Sequence, residues 1–413
     1  MNPTHTYTTD GFFTVTLTVT DDNGDSNTVS ETIIVQTYKT WTVMIYLDGD
    51  INLESHAIDD FLEMAEIGSN DHINIIAQFD RRPGYDHRYG DWTTTKRFYI
   101  EQNMEPTSKN AISDLGEQNM GDAATLYSFV NWSNSNFPSD YTMLIMWDHG
   151  GAWNGVCQDD TNQKDILTMG ELKTALQASL PGKKLNILGF ADCLMANLET
   201  YYQIKDTTDY IIGSEHSSWA KKPYGQLWDF ADILSYTMNH TNIQNITEYI
   251  VDSIFQQINI IDATQQKSHT WSVVETSALP AVATNISRFA DELLNALPTH
   301  YSTIQNQRYK TEAYGSDEFY DTMIDLSHFT NLIQQQSSLP SSLIRNATNL
   351  NNALDQAIIY NMASIKGAED YPVDHAHGLS IYYPKTIYSY DENNYELLDF
   401  CADTNWNEFL EQI

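Results

Sequence analysis

The chain has 413 residues, 41% of them hydrophobic, three cysteines, and a formal net charge of −35 at pH 7. This length allows two or three domains, or one large α/β domain with a small appendage. The strongly negative charge argues against a nucleic-acid partner and against anionic membrane surfaces, because proteins that bind either carry basic patches. An odd, small number of cysteines does not indicate a disulfide framework or a four-thiolate zinc site, so at least one thiol is expected to be free.

Residues 1–36 form two runs in which apolar residues alternate with Thr and Ser, and Asn23-Gly24 lies between the runs. This pattern predicts a β-hairpin closed by a tight turn. The segment HTYTTDGFFTVTLTVTDDNG resembles the last strands of a PKD-type immunoglobulin-like module. The resemblance implies that residues 1–36 are a partial PKD-like module, and we expect that Met1 is not the natural start of that domain.

From residue 39 onward, apolar runs of strand length alternate with segments in which apolar residues recur at helical spacing. Strands are predicted in the run that begins at Tyr141 and at 41–50, 72–80, 185–193, 209–216 and 377–384. Helices are predicted between most of these strands, and residues 226–370 are predicted to be largely helical. The alternation indicates an α/β domain over residues 39–413 with a mostly parallel, doubly wound sheet. No apolar run is long enough to predict a membrane span.

Two of these strands end in chemically reactive side chains. The run YTMLIMW leads to Asp148, His149 and a pair of glycines, and the run LNILGF leads to Cys193. Because ligands collect at the carboxyl ends of parallel strands, we expect His149 and Cys193 to face one cleft. An imidazole beside a thiol activates it as a nucleophile, and the N–H groups of Gly150 and Cys193 are candidates for an oxyanion hole.

Other residues near these strands have plainer structural interpretations. A cysteine outside such a context is usually an inert small hydrophobe, and we interpret Cys157 as a bystander thiol in a polar loop and Cys401 as a packing residue. Asp148 is expected to point away from the face that His149 occupies, because neighbours on a strand alternate. Asp159 and Asp160 are interpreted as solvated loop residues, with metal binding or capping as the alternative.

Six segments, taken together and in order, resemble the clostripain family of cysteine peptidases, relatives of caspases, gingipains and legumains. They are WTVMIYLDGDINLE, DHGGAW, DDTNQKDILTMGEL, FADCLMANLE, YIIGSEH and HGLSIYYP. The similarity runs from about residue 41 to 412. It implies a caspase-like α/β/α sandwich and a cysteine endopeptidase that forms an acyl-enzyme. By the same resemblance, His149 and Cys193 match the catalytic dyad of the family.

Two other functions stay open at this point. The chain is interpreted alternatively as an inactive extracellular binding module of the same fold, or as a metal-dependent hydrolase built from Asp148, His149, Asp192 and His216. Interpreted as a peptidase, the chain is expected to require no cofactor. The family resemblance implies calcium as a candidate ion, because clostripain is calcium-dependent. The expected partner is a protein or peptide substrate, and the expected location is extracellular or cell-surface. The sequence leaves the oligomeric state open.

The residues around Cys193 bear on substrate specificity. Clostripain-type enzymes favour Arg or Lys before the cleaved bond and typically carry Asp-x-Cys, but here Ala191 occupies the position of that aspartate and Asp192 adjoins the cysteine. A regular strand turns Asp192 away from the pocket that Cys193 faces. Glu215 is a candidate acidic contact, whereas Lys221 and Lys222 would favour an acidic or relaxed preference. A basic P1 residue is kept as the family default, with these alternatives open.

The polar loop between the His and Cys strands is a candidate site of self-cleavage. Some relatives in the family cut themselves there, and mobile loop tips are preferred cleavage sites. Lys164 is the basic residue of the segment GVCQDDTNQKDIL. We therefore expect any maturation cut between Cys157 and Ile166, at Lys164–Asp165.

Overall fold

The computed structural model describes residues 5–7, 11–35, 38–218, 227–262, 268–314, 322–364, 373–387 and 390–413. Its first two strands, β1 (Gly11–Thr20) and β2 (Ser26–Val35), form an antiparallel hairpin in which Gly11 pairs with Val35 and Thr20 with Ser26. The Asp21 carboxylate accepts the backbone N–H of Asn23 at 2.9 Å and of Asp25 at 3.0 Å, which closes the turn. The predicted N-terminal hairpin is confirmed.

The remaining described strands belong mostly to one large sheet. In chain order they are β3 (Lys39–Gly49), β4 (Ile73–Arg81), β5 (Lys96–Tyr99), β6 (Ser113–Asp114), β7 (Ser139–Trp147), β8 (Val156–Asp159), β9 (Asp165–Leu167), β10 (Leu185–Phe190), β11 (Thr208–Gly213), β12 (His269–Glu275), β13 (Ala313–Tyr314), β14 (Met323–Asp325), β15 (Ile358–Ser364) and β16 (Ser380–Tyr382).

The helices surround the sheet. They are α1 (Glu54–Ile67), α2 (Ala123–Asn136), α3 (Met169–Ser179), α4 (Leu198–Ile204), α5 (Phe230–Thr237), α6 (Ile243–Asp262), α7 (Leu279–Lys310), α8 (Leu326–Gln334), α9 (Ser341–Ala357), α10 (Glu392–Tyr395), α11 (Asp399–Asp403) and α12 (Trp406–Leu410). None of the helices in the described ranges is long and apolar enough to cross a membrane.

Within the described residues, the large sheet has nine strands in the order β15-β12-β11-β10-β7-β3-β4-β5-β6. Its centre, from β11 to β4, is parallel, and the outer pairings are antiparallel. The sheet is therefore mixed, and the predicted parallel arrangement holds for its centre. Strands β5 and β6 form one edge of the sheet, and β12 and β15 form the other edge within a region predicted to be largely helical.

Alternation along the central strands builds a core on each face of the sheet. Along β3, Met44 and Tyr46 pack into one core, which α2, α3, α4, α7, α8 and α9 cover. Val43 and Ile45 face the other core, which α1, α5 and α6 cover. Fully buried strands of this kind require helices on both faces. The result is the α/β/α sandwich that the resemblance implied, with β13, β14 and β16 in a separate small sheet.

Candidate active site

The register between β7 and β10 places His149 level with Cys193. The two strands are adjacent and parallel, and each β10 residue pairs with the β7 residue 44 positions earlier, as in Gly189 with Ile145 and Phe190 with Met146. The pairing continues past the strand ends, because Ala191 N donates to Met146 O at 2.9 Å. The same offset relates Cys193 to His149. Both residues therefore leave the sheet at the same edge.

The aspartate before each of these residues turns into the protein. Asp148 and Asp192 are 2% and 1% exposed, and Asp148 N donates to Asp192 Oδ1 at 2.6 Å. Gln158 N also donates to the Asp148 carboxylate. Burial raises the pKa of both carboxyl groups, and repulsion from Asp192 raises that of Asp148 further. The two aspartates therefore lie side by side in the protein interior, each directly before one of the residues His149 and Cys193.

The imidazole of His149 is held by a residue from the loop after β3. His149 Nε2 lies 2.7 Å from Asn52 Oδ1, which can only accept a hydrogen bond, so Nε2 carries the hydrogen and Nδ1 is the basic nitrogen. Burial lowers the pKa of His149 below its usual value of 6.5, against the attraction of Asp160. A cavity of about 320 Å³ lies beside the ring and is also lined by Lys164 and Arg82.

The sulfur of Cys193 faces the segment after β11. Ser218 N donates to Cys193 Sγ at 3.1 Å, and the neighbouring Leu194 N donates to His216 O at 3.2 Å. Leu194 has a left-handed backbone conformation, with φ of 64°, so the chain turns sharply directly after the cysteine. Burial raises the pKa of Cys193 to about 11, although the Ser218 amide opposes the shift. At neutral pH the free thiol is therefore protonated.

Gly150 brings the turn after His149 against the backbone of Cys193. A Cβ atom at this position would lie 2.1 Å from Cys193 O and 2.9 Å from the Met195 side chain. A side chain at residue 150 would therefore push the two strand ends apart. The glycine is needed here for close approach of the backbones.

The three candidate substrate-binding residues are covered. Ala191, Asp192 and Glu215 are each 2% exposed or less. Glu215 Oε2 accepts the N–H of Gly378 at 2.9 Å, and burial together with the nearby Asp325 carboxylate raises the pKa of Glu215. Lys221 and Lys222 lie outside the described residues.

The other two thiols are buried. Cys157 belongs to β8 and is fully buried, with φ of 58° where the β8–β9 pairing shifts register, so it does not lie in an open polar loop. Its pKa is raised by burial and by Asp192 and Asp148. Cys401 is 6% exposed and contacts Tyr395 O through its sulfur, as expected of a packing residue. Cys193 is the most accessible of the three cysteines.

The structure does not bring together the donors of the alternative metal-dependent hydrolase. Among the described residues, one group of carboxylates has the geometry to hold an ion, and it contains Asp50, Asp80, Glu117 and Asp159. Asp148, His149, Asp192 and His216 do not form such a group. Of the two loop aspartates identified in the sequence, Asp159 joins the cluster, and Asp160 pairs with Arg82 at 2.7 Å.

Sequence reasoning missed two residues of this site. Asn52 lies 97 positions before His149, in a segment expected only to start a helix. Ser218 acts through its backbone N–H, which no residue pattern reveals. The position of Asn52 after a buried central strand was the available signal, because polar side chains at such ends share the edge with the neighbouring strands.

Comparison with known proteins agrees with this geometry. The model of the clostripain family matches residues 45–412, and that of the PKD domain matches residues 1–35. Clostripain of Hathewaya histolytica is 31% identical over 210 residues, which are 43% of this chain and 39% of that protein. The chain thus spans well under half of clostripain.

Two solved structures share the fold. A secreted C11 cysteine protease from Bacteroides thetaiotaomicron, in complex with an irreversible peptide inhibitor, superposes with a TM-score of 0.66 at 17% identity, covering 89% of this chain and all of that one. An inactive zymogen C11 protease from Parabacteroides distasonis superposes with a TM-score of 0.67 at 18% identity, covering 90% of this chain and 99% of that one.

Proposed function

The chain belongs to the clostripain family, a family of cysteine-type peptidases, and we propose that it is an endopeptidase in which Cys193 is the nucleophile and His149 the general base and acid. The observation that supports this proposal is the register of β7 and β10, whose 44-residue offset equals the separation of His149 and Cys193 along the chain. The contacts from Asn52 and Ser218 support it, because each holds one reacting group in place.

The proposed reaction begins from a neutral pair. His149 Nδ1 takes the thiol proton as Cys193 Sγ attacks the scissile carbonyl carbon, and the N–H groups of Gly150 and Cys193 receive the oxyanion. The tetrahedral intermediate collapses as His149 returns the proton to the leaving amine, which breaks the C–N bond and leaves a thioester. Water, deprotonated by His149, then releases the acid product and restores the thiol. No cofactor takes part in these steps.

The decisive experiment is replacement of the nucleophile. We expect Cys193→Ala to fold and to lose turnover by at least about four orders of magnitude, because residual catalysis without a nucleophile is small. Cys401→Ala is the matched control, since it removes another buried sulfur, one that contacts Tyr395 O, and it should keep full activity. Iodoacetamide should inactivate the wild type and Cys401→Ala alike. Retained turnover in Cys193→Ala would refute the mechanism.

We propose that a basic P1 residue is preferred. Ala191, Asp192 and Glu215 are the residues assigned to substrate binding. Because Asp192 and Glu215 are buried, either carboxylate would contact a basic P1 side chain only from beneath the residues that cover it. The test is turnover of matched substrates with Arg, Lys, Ala and Asp at P1. A preference of about a hundredfold for Arg, near 2.7 kcal/mol, is expected, and equal rates for Arg and Ala would refute it.

We also propose that the β8–β9 hairpin is the site of self-cleavage. Lys164 is exposed at its tip, has φ of 60° and lines the cavity beside His149. The expected cut is at Lys164–Asp165, in the wild type and not in Cys193→Ala. The intact masses of the two proteins show whether this bond is cut. Lys164→Ala should prevent the cut, and Lys183→Ala is its matched control. An active wild type that stays uncut would show that the hairpin is only a connector.

We place the protein outside the cell or at its surface, acting on protein or peptide substrates. The acidic composition supports this location, and so does the secreted structural neighbour from Bacteroides thetaiotaomicron. Fractionation of producing cells, with an antibody against the purified chain, tests the location. Confinement of the chain to the cytosol would contradict it.

A further inference from the structure

We propose that the cavity beside His149 is the subsite for the residue after the cleaved bond, P1′, and that it accepts an acidic side chain there. This inference rests on the proposed peptidase function and adds a preference on the leaving-group side of the substrate. The cavity has a volume of about 320 Å³, and its lining includes Asn52, His149, Arg82, Asp160 and Lys164. Ligand pockets range over roughly 300–1,000 Å³, so a cavity of this size suits a single side chain.

The position of the cavity along the sheet edge indicates which part of a substrate it would meet. The parallel strands β11, β10, β7, β3 and β4 are neighbours in that order, so their carboxyl ends share one edge. Cys193 follows β10 and contacts Ser218, which lies after β11. The cavity lies on the other side of His149, where Asn52 follows β3 and Arg82 follows β4. A substrate bound at Cys193 can therefore extend along the edge either towards β11 or towards the cavity.

Proton transfer decides which half of the substrate extends towards the cavity. In the proposed mechanism the acyl half is attached to Cys193, and His149 returns a proton to the leaving amine. The nitrogen that receives this proton belongs to P1′, so the P1′ residue must lie against the imidazole. Its side chain is then the part of the substrate nearest to the cavity. Because an endopeptidase cleaves within a chain, P1′ offers a side chain there and not a terminal carboxylate.

The charged side chains of the cavity have a net positive charge. Arg82 and Lys164 supply two cations, and Asp160 supplies one carboxylate. The chain has 21 lysines and arginines against 56 aspartates and glutamates, so two cations on one small cavity are unusual for this composition. The cavity would therefore attract a carboxylate that the protein as a whole repels.

The carboxylate of the cavity is already engaged by protein donors. Asp160 Oδ2 pairs with Arg82 Nη1 at 2.7 Å, and Asp160 Oδ1 accepts a hydrogen bond from Gln158 Nε2 at 3.2 Å. The pairing uses one nitrogen of a guanidinium that has five N–H donors, and the Arg82 side chain is 36% exposed. Arg82 can therefore hold Asp160 and still donate to a second carboxylate.

The second cation has no partner in this part of the protein. Lys164 is exposed at the tip of the β8–β9 hairpin, and it forms no hydrogen bond or ion pair with any residue in the described ranges. A carboxylate in the cavity would thus meet cations from two separate segments. Because Arg82 lies outside the hairpin, a cut at Lys164–Asp165 would not remove its charge from the cavity. The residue after that bond, Asp165, is itself acidic, as this subsite would prefer.

The subsite is tested with two peptides that differ only at P1′, where one carries Asp and the other its neutral isostere Asn. Both keep the same P1 residue, continue beyond P1′ and end in an amide, so the P1′ side chain is the only charge that varies. We expect the wild type to cleave the Asp peptide with a kcat/KM about tenfold higher, and added salt to reduce the ratio. Equal rates would contradict the subsite, and so would the preference for Asn that a net charge of −35 alone would produce.

Two variants should change this ratio in opposite directions. Arg82→Gln removes a cation and should bring the Asp-to-Asn ratio to within about twofold of one, whereas Asp160→Asn removes the competing carboxylate and should raise the ratio about threefold. Each ratio compares two substrates of one variant, so a general loss of activity cancels. Arg288→Gln, at an exposed position on α7, is the matched control and should leave the ratio unchanged. A ratio that changes in neither Arg82→Gln nor Asp160→Asn would refute the assignment to this cavity.

A binding measurement separates failure of the subsite from failure of the proposed function. Cys193→Ala binds a peptide without cleaving it, so calorimetric titration with the two peptides measures the effect of the P1′ charge on Kd. The Asp peptide should bind about fivefold more tightly, and equal Kd values would overturn the subsite even if the wild type cleaves both peptides. Tighter binding of the Asp peptide without turnover in the wild type would support the subsite and overturn the proposed mechanism instead.

Discussion

The segments that follow β7 and β10 have similar residues, but different contacts hold their reactive side chains. Each strand is followed by a buried aspartate, Asp148 or Asp192, and then by a more accessible reactive residue. His149 is held by the side chain of Asn52, whereas Cys193 receives a backbone N–H. A side-chain contact can be removed by substitution, but a backbone contact survives most substitutions. The two ends should therefore be equally essential and unequally sensitive to changes in their supports.

The largest effect is expected when the β7 end loses its imidazole. His149→Gln should lower kcat by about three orders of magnitude or more, because Gln cannot take the thiol proton or return it to the amine. KM should change much less, since the ring is assigned to proton transfer. Steady-state kinetics measure both, and the circular dichroism spectrum should match that of the wild type. A loss below tenfold would show that Cys193 reacts without this base.

The next effect tests the support of His149. Asn52→Ala should lower kcat by about 10- to 100-fold, because the imidazole loses the contact that fixes its tautomer and orientation. Asn154→Ala, at an exposed position on the turn after His149, is the matched control and should stay within twofold. Asn52→Asp should recover part of the loss, since a carboxylate also accepts from Nε2. An equal loss of kcat in the Asn154 variant would show that the effect comes from a less rigid turn after His149 and not from the lost contact with Asn52.

The sequence predicted the part of this site that follows from strand periodicity. Alternation along a strand placed Asp148 opposite to His149, and the expected inward turn of Asp192 agrees with its burial. Parallel pairing also predicted that the two runs end at one edge, and β7 and β10 are adjacent as expected. These inferences depend only on residues that are adjacent in the sequence and on the two-residue period with which side chains alternate along a strand.

Contacts between distant segments were not predictable in the same way. Asn52 meets His149 only because β3 pairs with β7, and the four carboxylates of the cluster come from four separate segments. Strands β12 and β15 were missed because amphipathic helices surround them in a region where the helical period dominates. Tertiary pairing, which a single sequence does not display, decides each of these cases.

The pH dependence tests whether the pair is neutral before substrate binds. Burial lowers the pKa of His149 below 6.5 and raises that of Cys193 to about 11. Because neutral His149 must accept the thiol proton, kcat/KM should fall about tenfold per pH unit below the His149 pKa, with a midpoint under pH 6.5. Iodoacetamide labelling of Cys193 should rise about tenfold per pH unit up to a midpoint near pH 11. A labelling midpoint between pH 5 and 8 would indicate a preformed thiolate–imidazolium pair instead.

The smallest effect is expected at the support of Cys193. Ser218→Ala keeps the backbone N–H that lies 3.1 Å from the sulfur, so kcat and the rate of iodoacetamide labelling should stay within about twofold of the wild type. Ser218→Pro removes that N–H and should raise the pKa of the Cys193 thiol, because the hydrogen bond from the Ser218 N–H opposes the rise in pKa that burial causes. The labelling midpoint would then move to higher pH in the proline variant and not in the alanine variant. A tenfold loss in Ser218→Ala would mean that the hydroxyl takes part, and that both strand ends depend on side chains.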